Sequence, residues 1–570
     1  MTVQDEVLIL KLGSSVLGDR HALDLAVQEI YRHLRAGRRV LAVVSALQGV
    51  TDDLLSHCEE FGPDADQAAV AAYVATGERA ACALLVLALD RSGVPALLLE
   101  PAAVALRSTG ERLDAEPASV DAVLLRHYLA LNQVAVFPGF FCTDAGGQHV
   151  LFGRGGSDIT ALFLAKQLHG RCLLLKDVDG LYAQDPAKLG VGAGAQKFLR
   201  ARWETAARLG GQLIQSKAVE FARRQSLDFS VGRCLDTTPT LIGAFSDECR
   251  TDAAEPVPLR VLLLGLGTVG FGVYERLSSD SDRFRVEKIL VRSPERHAGR
   301  GVPPDLLTSQ ADGVSEASID LVVDALAGDE PAGSLVSGFL ARGIPVVSAN
   351  KGMLVRNWER IRRYALGAQP LLRCSAAVGG AVPMLEALRR RTDLDQIDRV
   401  RGILNGTCNF LLDMMGRGST YAGALQLAQE RGLAEADPTD DVSGRDAASK
   451  AFLIVEAGLN SAMVSCEIDR SGIDSVAGAA LATGSPHIGV ARQIVELARV
   501  SCGWRASVGV RFLAPDDPLA EVRAENNVIE IYAGNRCLDR VGGKGAGRWP
   551  TATSVMADVY AWGNEVTSMR

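Results

Sequence analysis

Residues 260–277 read RVLLLGLGTVGFGVYERL, and this stretch decides the fold of the second half of the chain. An apolar strand at 260–264 runs directly into a GxGxxG turn, and a helical pattern follows. Glycines at these spacings allow a tight turn, a close approach of the backbone to a pyrophosphate, and close packing of helix on strand. The stretch therefore predicts a dinucleotide-binding Rossmann unit. Its predicted cofactor contacts are Gly265, Gly267, Thr268, Val269 and Gly270.

The residue that follows the second predicted strand indicates which dinucleotide is bound. The apolar run VEKILV ends at Val291, and Arg292 comes next. NAD-preferring sites usually place Asp or Glu there to hold the ribose 2′-hydroxyl, whereas Arg suits a 2′-phosphate. The pattern therefore favours NADP and leaves NAD open.

The first 245 residues alternate short apolar runs with helical stretches. The runs are VLILKLG, RRVLAVVSAL, VPALLLE, QVAVFPGFF and CLLLKDVDG, and helices are predicted between them, as at 24–36 and 158–168. Near-continuous apolar strands separated by helices predict an α/β fold with a mostly parallel sheet covered on both faces. The segment ACALLVLAL at 81–89 is too short to span a bilayer, so we expect a buried helix there.

The composition is that of an ordinary globular enzyme. The chain has 570 residues, of which 22% are charged, and its net charge is −8. This charge gives no electrostatic case for binding nucleic acid or an anionic membrane. The start of the chain, MTVQDEVLILKLG, lacks the pattern of a signal peptide. We therefore expect a cytoplasmic enzyme that acts on small molecules.

Composition shifts divide the chain into four predicted parts. Residues 1–246 form the first α/β domain, and the polar, Pro-containing residues 247–258 form a linker. The Rossmann domain spans 259–370. From 371 to 570, the strand-like segments RVRGILNGTCNFLL, GWRASVGVRFLA and NNVIEIYAG mix with long helices, as in an α+β substrate-binding and catalytic domain. Whether the C-terminal part of this last domain returns to the Rossmann domain is left open.

Further motifs show that the second half, from about 259 to the C-terminus, resembles homoserine dehydrogenase. They are SANKGML (348–354), AAVGGAVPML, GILNGTCNFLL, GLAEADPTDDVSGRDAASK (432–450) and GGKGAGRWPTATSVMADV (542–559). The resemblance implies an NAD(P)H-dependent interconversion of L-aspartate 4-semialdehyde and L-homoserine. We also expect a homo-oligomer, either a dimer or a tetramer.

This resemblance assigns roles to individual residues. Lys450 matches the acid/base lysine of the family, and Lys351 matches its second active-site lysine, near the nicotinamide and the substrate. Asp446 lies four residues before Lys450, which places both side chains on one face of a helix. The positions that match substrate binding or orientation of the lysines are Gly432, Glu435, Asp441 and Asp446.

The segment SAAVGGAVP resembles the monovalent-cation loop of the same family, whose ligands are largely backbone carbonyls. An acidic residue is common at the position of Ser375, and backbone ligation would survive that change. The resemblance therefore implies a sodium ion. Its ligands would be Ser375, Val378, Gly380 and Val382.

The first half, over about 7–245, resembles the amino-acid kinase superfamily and aspartokinase in particular. The motifs are KLGSS (11–15), VVSALQGVTDDLL, TGERA (76–80), PGFF, FGRGGSD (152–158) and KDVDGLYAQDP (176–186). The resemblance implies that ATP with Mg²⁺ phosphorylates L-aspartate to 4-phospho-L-aspartate. Such phosphoryl transfer needs cations and backbone N–H groups around the transferring phosphoryl group, together with a binding pocket that positions the acceptor.

Residues of the first half also receive roles from their resemblance to aspartokinase. Lys11 matches the lysine that neutralises charge on the transferring phosphate, and Asp158 belongs to the catalytic loop. Glu78 and Arg154 match residues that bind the ammonium and carboxylate of aspartate, and Ser157 belongs to the same substrate loop. The residues in the nucleotide-binding segment are Asp177, Asp179 and Tyr182.

Two features separate this chain from the usual aspartokinase pattern. Its first loop reads KLGSSV where aspartokinases usually read KFGGTS, and in this it is closer to glutamate 5-kinase. This departure leaves open a second interpretation, a homoserine dehydrogenase whose kinase-like module only binds ligands or holds subunits together. The stretch between Phe245 and the Rossmann strand is too short for two ACT regulatory domains, and the dehydrogenase motifs run to about Val559. We therefore expect a fusion of both enzymes without ACT domains, serving the first and third steps from aspartate toward threonine and methionine.

Overall fold

The computed structural model describes residues 6–185, 194–211, 213–251, 257–297, 299–310, 318–367, 369–463, 468–473 and 489–569. The chain divides into two compact units. The N-terminal unit comprises Met1–Asp90 and Pro95–Pro256, and the C-terminal unit comprises Val257–Met569 with Arg91–Val94.

A nine-stranded sheet forms the core of the N-terminal unit. The strands of this unit are β1 (Val7–Leu12), β2 (Arg39–Val44), β3 (Leu97–Leu98), β4 (Arg107–Glu111), β5 (Asp114–Ser119), β6 (Val134–Pro138), β7 (Phe141–Thr143), β8 (His149–Leu151), β9 (Arg171–Lys176), β10 (Gln196–Arg202), β11 (Phe229–Arg233), β12 (Thr240–Gly243) and β13 (Glu248–Thr251). Its helices are α1 (Arg20–Arg35), α2 (Val50–Glu59), α3 (Gln67–Arg91), α4 (Ala122–Asn132), α5 (Gly156–Leu168), α6 (Trp203–Leu209) and α7 (Ser216–Arg224). The strand order in the sheet is β13-β10-β12-β11-β9-β1-β2-β6-β3.

The central strands of this sheet run parallel, which confirms the predicted α/β fold. β1 pairs in parallel with both β2 and β9, and β2 pairs in parallel with β6. All six residues of β1 are buried, as expected for a strand covered on both faces. The predicted helices at 24–36 and 158–168 correspond to α1 and α5. The side chain of Asp19 caps α1 by accepting a hydrogen bond from the Ala22 N–H at 2.8 Å.

The apolar segment at 81–89 is the last part of the 25-residue helix α3. This helix begins at Gln67, well before the apolar segment. It includes Gly77 and Glu78, which both lie on its buried side. By length and composition alone it could cross a membrane, and 44% of its most apolar window is buried within the protein. Core helices of globular proteins pass the same test, so this finding is weak evidence for a membrane segment.

The predicted linker at 247–258 is partly a strand. Within it, β13 pairs antiparallel with β10 at the edge of the sheet. All four residues of β13 are exposed, so this edge strand carries none of the apolar pattern that predicts a strand. Residues 252–256 of the predicted linker lie outside the described residues.

Two six-stranded sheets form the C-terminal unit. Its strands are β14 (Leu259–Leu264), β15 (Phe284–Leu290), β16 (Leu307–Thr308), β17 (Leu321–Asp324), β18 (Val346–Ser348), β19 (Leu372–Arg373), β20 (Arg399–Ile403), β21 (Asp469–Arg470), β22 (Val490–Val500), β23 (Gly503–Leu513), β24 (Asn526–Ala533) and β25 (Arg536–Lys544). Its helices are α8 (Thr268–Ser279), α9 (Ala332–Ala341), α10 (Lys351–Ala365), α11 (Ser375–Gly379), α12 (Met384–Arg389), α13 (Gly406–Gly416), α14 (Tyr421–Glu430), α15 (Thr439–Val442), α16 (Arg445–Leu453) and α17 (Arg548–Met569).

The first of these sheets is the predicted Rossmann sheet, and the second belongs to the α+β part. The first has the order β16-β15-β14-β17-β18-β19, and all of its pairs are parallel. The second has the order β21-β23-β22-β20-β24-β25 and is mostly antiparallel. One hydrophobic core contains residues of both sheets, such as Leu262 and Ile529, together with Trp358 of helix α10.

Two features of this unit go beyond the sequence prediction. The segment NGTCNFLL was predicted as strand-like and is the helix α13, whose start is capped by Asn405. Helix α17 packs on the Rossmann part, because the Tyr560 hydroxyl donates to Asp280 Oδ2 at 2.8 Å and Arg276 Nη1 donates to Thr553 Oγ1 at 2.9 Å.

Candidate active sites

The turn between β14 and α8 forms a cradle for a dinucleotide. Gly265 has φ +93°, and a Cβ there would lie 2.7 Å from the Ala325 carbonyl oxygen. A Cβ on Gly270 would collide with the Gly265 carbonyl, whereas a Cβ on Gly267 would meet no atom within 4 Å. Gly265 and Gly270 are therefore required by the protein's own packing, and the space at Gly267 is open. This open space lies at the N-terminus of α8, where a pyrophosphate is stabilised by backbone N–H groups and the helix dipole.

The remaining predicted cofactor contacts of the Rossmann part lie near this turn. Thr268 begins α8 and is exposed, and Val269 is half-buried beside it. Arg292 is exposed just beyond the end of β15. The sequence analysis missed Arg300, whose guanidinium lies 4.5 Å from the centre of the Phe271 ring, with Nη1 3.5 Å from the Leu266 carbonyl oxygen. No sequence motif identifies Arg300, because it is distant from the turn in the sequence and reaches it only through the fold.

A carboxylate between two lysines forms the centre of the second candidate site in this unit. Asp446 and Lys450 lie on one face of α16, as the spacing predicted, and Lys450 Nζ is 3.0 Å from Asp446 Oδ2. Lys351 begins α10, and its ammonium group pairs with the other carboxylate oxygen, Asp446 Oδ1. Lys450 Nζ also donates to the Leu404 carbonyl at 2.6 Å. The structure therefore brings together three residues from two motifs that are widely separated in the sequence.

Asn405 connects this cluster to the second predicted carboxylate, Asp441. Its Nδ2 donates to Asp441 Oδ1 at 2.7 Å and to Asp446 Oδ2 at 2.9 Å. Its Oδ1 accepts the Cys408 N–H at 2.7 Å, which fixes the amide as the cap of α13. The sequence analysis missed Asn405 as a site residue, although an Asn directly before a helical Gly-Thr is the local signal of a cap.

The two carboxylates of this cluster have opposite electrostatic surroundings. Burial by itself would raise the pKa of Asp446, but the ammonium groups of Lys450 and Lys351 hold it well below its usual range. Burial and the negative charge of Asp446 raise the pKa of Asp441. Asp446 therefore stays ionised between the two lysines, and Asp441 is the carboxylate that gains from a cationic ligand.

Two further residues predicted to bind the substrate, Gly432 and Glu435, lie in an exposed segment. Gly432 lies in an exposed turn with φ +69°, and a Cβ there would meet no atom within 4 Å. The Glu435 side chain is exposed, while its backbone carbonyl accepts a hydrogen bond from Gln429 Nε2 at 3.1 Å. Their roles in substrate binding stay predictions.

The predicted sodium-binding residues lie in and after the short helix α11. Ser375 and Val378 are in α11, and Gly380 follows it with φ +53°. Ser375 Oγ donates to Asp558 Oδ1 at 3.4 Å, so a buried carboxylate lies beside this segment. Val382 closes the turn by donating its N–H to the Gly379 carbonyl at 2.8 Å. In the part of the chain that the structure describes, no three or more His, Cys, Asp or Glu residues lie together as a metal site.

A cavity of about 780 Å³ in the N-terminal unit collects most of the residues predicted for the kinase. It opens at the carboxyl ends of the parallel strands, where ligands bind in open α/β sheets. The predicted residues that line it are Lys11, Glu78, Arg154, Ser157 and Asp158. Lys176 and Lys217 also line it and were not predicted as site residues.

The floor of this cavity is a buried ion cluster around Asp158. Lys11 Nζ lies 2.9 Å from Asp158 Oδ1, and Lys176 Nζ lies 3.1 Å from Asp158 Oδ2. Burial would raise the pKa of Asp158, but the two ammonium groups hold it below its ordinary value. Burial lowers the pKa of Lys11 despite the attraction of Asp158. Gly13 keeps the first loop close to this lysine, because a Cβ there would lie 3.3 Å from Lys11 Nζ.

Glu78 is a second buried carboxyl group in the same cavity. It projects from α3, and its Oε1 accepts the Ala46 N–H at 3.2 Å. Burial raises its pKa to about 7. Arg154 is exposed at the opening of the cavity, and Ser157 is buried in the first turn of α5. Glu78 and Arg154 therefore present a carboxyl group and a guanidinium group to a ligand that carries both charges.

The predicted nucleotide segment follows β9. Asp177 is exposed directly after this strand. Asp179 accepts a hydrogen bond from the Tyr182 hydroxyl at 2.8 Å and forms an ion pair with the buried Lys197. Of the three predicted residues, Asp177 is thus the most exposed, while Asp179 and Tyr182 hold each other in place.

These features define a chain that joins a Rossmann-type dehydrogenase to an α/β unit of the kinase type. Residues 265–369 match the family profile "Homoserine dehydrogenase, NAD binding domain", and residues 383–560 match "Homoserine dehydrogenase". Residues 6–225 match "Amino acid kinase family".

Known proteins similar to this chain include several homoserine dehydrogenases. The enzyme of Lactococcus lactis subsp. lactis is 31% identical over 313 residues, which are 53% of this chain and 73% of the relative. That of Mycobacterium bovis is 35% identical over 331 residues, 55% of this chain and 74% of the relative. A solved homoserine dehydrogenase structure from Thiobacillus denitrificans is 28% identical with a TM-score of 0.46, and the match covers 55% of this chain and 74% of that one.

The extent of this similarity makes the chain a member of the homoserine dehydrogenase family. The family match covers the C-terminal unit, and the amino acid kinase match covers the N-terminal unit. The chain therefore joins a region that matches the amino acid kinase family to a homoserine dehydrogenase region, in the order that the sequence predicts.

Proposed function

We propose that this chain is a bifunctional enzyme that phosphorylates L-aspartate with ATP and interconverts L-aspartate 4-semialdehyde and L-homoserine with NAD(P)H. The dehydrogenase assignment rests on the cluster of Lys351, Asp446 and Lys450 in a chain of this family. The kinase assignment rests on the cavity that contains Lys11 and Asp158, in the region that matches the amino acid kinase family.

The dehydrogenase step needs a hydride and a proton. Reduced nicotinamide, when bound, supplies the hydride that adds to the aldehyde carbon. Lys450 donates the proton from Nζ to the carbonyl oxygen as the C=O bond becomes a C–OH bond. Among the described residues, Leu404 and Asp446 engage two of the three N–H donors of this ammonium group, which leaves one for the substrate oxygen. Asp441, whose pKa is raised by burial and by Asp446, is suited to bind the ammonium group of the amino-acid substrate.

The glycine cradle at Gly265, Gly267 and Gly270 fits a dinucleotide, and Arg292 supports a preference for NADP over NAD. The sodium ion stays a prediction from the resemblance. Backbone carbonyls around Ser375 and the nearby Asp558 carboxylate are hard oxygen donors, which suit such an ion. The size of the homo-oligomer also stays a prediction, and light scattering would measure it.

In the kinase step, a side-chain carboxylate oxygen of aspartate attacks the γ-phosphorus of MgATP. The bond from this phosphorus to the bridging oxygen breaks, and ADP leaves with that oxygen. Lys11 would neutralise the charge on the transferring phosphoryl group, and its position beside Asp158 supports this role. Glu78 would bind the aspartate ammonium group and Arg154 its α-carboxylate, since both line the same cavity. This complete set of residues favours an active kinase over a module that only binds ligands.

Two assays on the full chain test this function. Purified protein with MgATP, aspartate and hydroxylamine should yield aspartyl hydroxamate, which traps the acyl phosphate. The same preparation should oxidise NADPH when aspartate semialdehyde is added. A preparation that reduces the semialdehyde but forms no hydroxamate would favour the inactive kinase module, and one that does not reduce it would reject the dehydrogenase assignment.

A further inference from the structure

Asp324 is a fully buried carboxylate of the Rossmann part to which neither the sequence motifs nor the dehydrogenase mechanism assigns a role. It is the last residue of β17, and it has no exposed surface. β17 lies between β14, which leads into the glycine turn, and β18, which leads into α10. Ligands of such sheets bind at the carboxyl ends of the strands. Asp324 therefore lies between the cofactor turn and the segment that carries Lys351.

The two carboxylate oxygens of Asp324 bind different parts of the chain. Oδ1 accepts the N–H of Leu326, in the loop after β17, at 3.1 Å. Oδ2 accepts the hydroxyl of Ser348, the last residue of β18, at 2.8 Å. An ionised carboxylate is an acceptor at both oxygens, whereas an amide has a donor in place of one of them. A carboxylate can therefore hold both segments at once, and an amide cannot.

The hydrogen bond to Ser348 continues to Asn350. The Ser348 hydroxyl oxygen accepts the Asn350 N–H at 3.1 Å. The Asn350 side chain holds two further segments, because its Nδ2 donates to the Gly328 carbonyl at 2.7 Å and its Oδ1 accepts the Met353 N–H at 3.1 Å. The second of these bonds caps α10. Asp324 is therefore linked through two hydrogen bonds to the residue that caps this helix.

The burial of this carboxylate is costly for the fold. Burial raises the pKa of Asp324 to about 6, so the group is still mostly ionised at neutral pH. Among the described residues, the groups that lower this pKa are the Ser348 hydroxyl and the Leu326 N–H, and neither is a cation. A buried charge without a cation opposes folding, so stability alone does not explain a carboxylate at this position.

We propose that Asp324 is a positioning residue of the dehydrogenase, which fixes the start of α10, and with it Lys351, relative to the cofactor turn. The inference rests on the proposed dehydrogenase function. Lys351 is the first residue of α10 and must meet both Asp446 and the substrate in one geometry. A misplacement of about 1 Å can lower a rate by on the order of 100-fold. Asp324 is fully buried, so it acts through this lysine and not on the substrate itself.

The alternative is that Asp324 only stabilises the Rossmann sheet. Asp324→Asn keeps the size of the side chain but accepts at one atom only, so one of the two hydrogen bonds is lost. Asp320→Asn is the matched control, because it is the same substitution at the other end of the same strand. Asp320 directly precedes β17 and pairs there with Arg260 at 3.0 Å.

The first measurement is a double-mutant cycle on kcat for the reduction of aspartate semialdehyde. We expect Asp324→Asn to lower kcat by at least about tenfold and to change the KM for NADPH by less than about threefold. Asp320→Asn should stay within about twofold of the wild type. In a Lys351→Met background, Asp324→Asn should lower kcat by less than about threefold, because the lysine that it positions is already absent. A similar loss in both backgrounds, or a folded Asp324→Asn protein with the kcat of the wild type, would overturn the proposal.

The second measurement does not depend on the activity. Hydrogen–deuterium exchange of the full chain, read by mass spectrometry, reports the hydrogen bonds in the first turn of α10, such as that of the Met353 N–H. We expect exchange there to be at least about tenfold faster in Asp324→Asn and unchanged in Asp320→Asn. If the wild type reduces no semialdehyde but this difference is found, the proposed dehydrogenase activity fails while the positioning role of Asp324 stands. Unchanged exchange in the first turn of α10 of Asp324→Asn would refute that role.

Discussion

A single carboxylate lies between two lysines in each unit of this chain. Asp446 separates Lys351 from Lys450, and Asp158 separates Lys11 from Lys176. Burial alone would raise the pKa of each aspartate, but the ammonium groups lower it, so both carboxylates stay ionised. Each aspartate therefore holds two cations in fixed positions while offsetting their repulsion. The two ammonium groups can then face a substrate while the carboxylate offsets the electrostatic repulsion between them.

Lys450 is the residue on which the dehydrogenase proposal depends most directly. We expect Lys450→Met to lower kcat for homoserine oxidation by about 10²–10⁴-fold, because it removes the proton-transfer group. Binding of NADPH should be nearly unchanged, since the cofactor cradle lies on other elements. Arg445→Met is the control on the same helix, because Arg445 is exposed and pairs with the exposed Asp440 at 3.2 Å. Steady-state kinetics with unchanged kcat in the Lys450 variant would reject its role.

Glu78 should give the kinase a pH dependence of its own. Its pKa is raised to about 7 by burial, and only the ionised form attracts the ammonium group of aspartate. We therefore expect kcat/KM for aspartate to fall as the pH drops below about 7, by about tenfold per pH unit. Glu78→Gln should abolish this fall in kcat/KM at low pH and raise the KM for aspartate. Glu59→Gln, at an exposed position of α2, should leave the pH dependence unchanged. A wild-type profile that is flat from pH 5.5 to 7.5 would contradict this assignment.

The raised pKa of Glu78 also makes the stability of the N-terminal unit depend on pH. The pKa of Glu78 is higher in the folded protein than its ordinary value of 4.5, so the folded state binds this proton more tightly than the unfolded state does. Its contribution to stability is therefore present at low pH and is lost as the pH rises from about 4.5 to about 7. Glu78→Gln should weaken this pH dependence in thermal unfolding of the N-terminal unit.

Arg292 is the residue that should decide cofactor preference. Arg292→Asp should weaken NADPH binding by at least about tenfold and NADH much less, because a charge-assisted contact to the 2′-phosphate becomes a repulsion. The KM values for both cofactors measure this difference. Equal losses with NADH and NADPH would show that Arg292 is not the discriminating residue, and would direct attention to Arg300 beside the glycine turn.

Secondary-structure elements were predicted well where their pattern is local. The alternating runs predicted the parallel strands of the first unit, and GxGxxG predicted the β14–turn–α8 element. A short apolar run does not distinguish a strand from a buried helix, which is why NGTCNFLL was predicted incorrectly. The polar edge strand β13 has no apolar signal at all. Lys176 and Asn405 were missed because their contacts join elements that are distant in sequence.

The β14–α8 turn gives a prediction in which two glycines behave differently. Gly265→Ala should destabilise the C-terminal unit by ~1–3 kcal/mol, because φ is +93° and the new Cβ would press on the Ala325 carbonyl. Gly267→Ala should leave stability within about 0.5 kcal/mol, since its Cβ would meet no protein atom. It should nevertheless raise the cofactor KM, because the methyl group occupies the space for the pyrophosphate. Thermal unfolding and steady-state kinetics distinguish these outcomes, and an unchanged KM in Gly267→Ala would place the pyrophosphate elsewhere.

The whole chain combines two units, and each contains a complete set of candidate catalytic residues. Lys11, Glu78 and Asp158 belong to the N-terminal unit, whereas Lys351 and Lys450 belong to the C-terminal unit. Each unit also has its own hydrophobic core, as expected of domains that fold around separate cores.

This separation predicts that the two activities can be removed one at a time in the full chain. Lys11→Met should abolish hydroxamate formation and leave homoserine oxidation within about twofold of the wild type, because it removes a phosphate-binding cation from one cavity only. Lys450→Met should do the reverse. Measuring both activities in each variant makes each reaction the folding control for the other, and a double variant should lose both. Loss of homoserine oxidation in a folded Lys11→Met protein would mean that the dehydrogenase depends on the kinase site, and would contradict independent function of the two units.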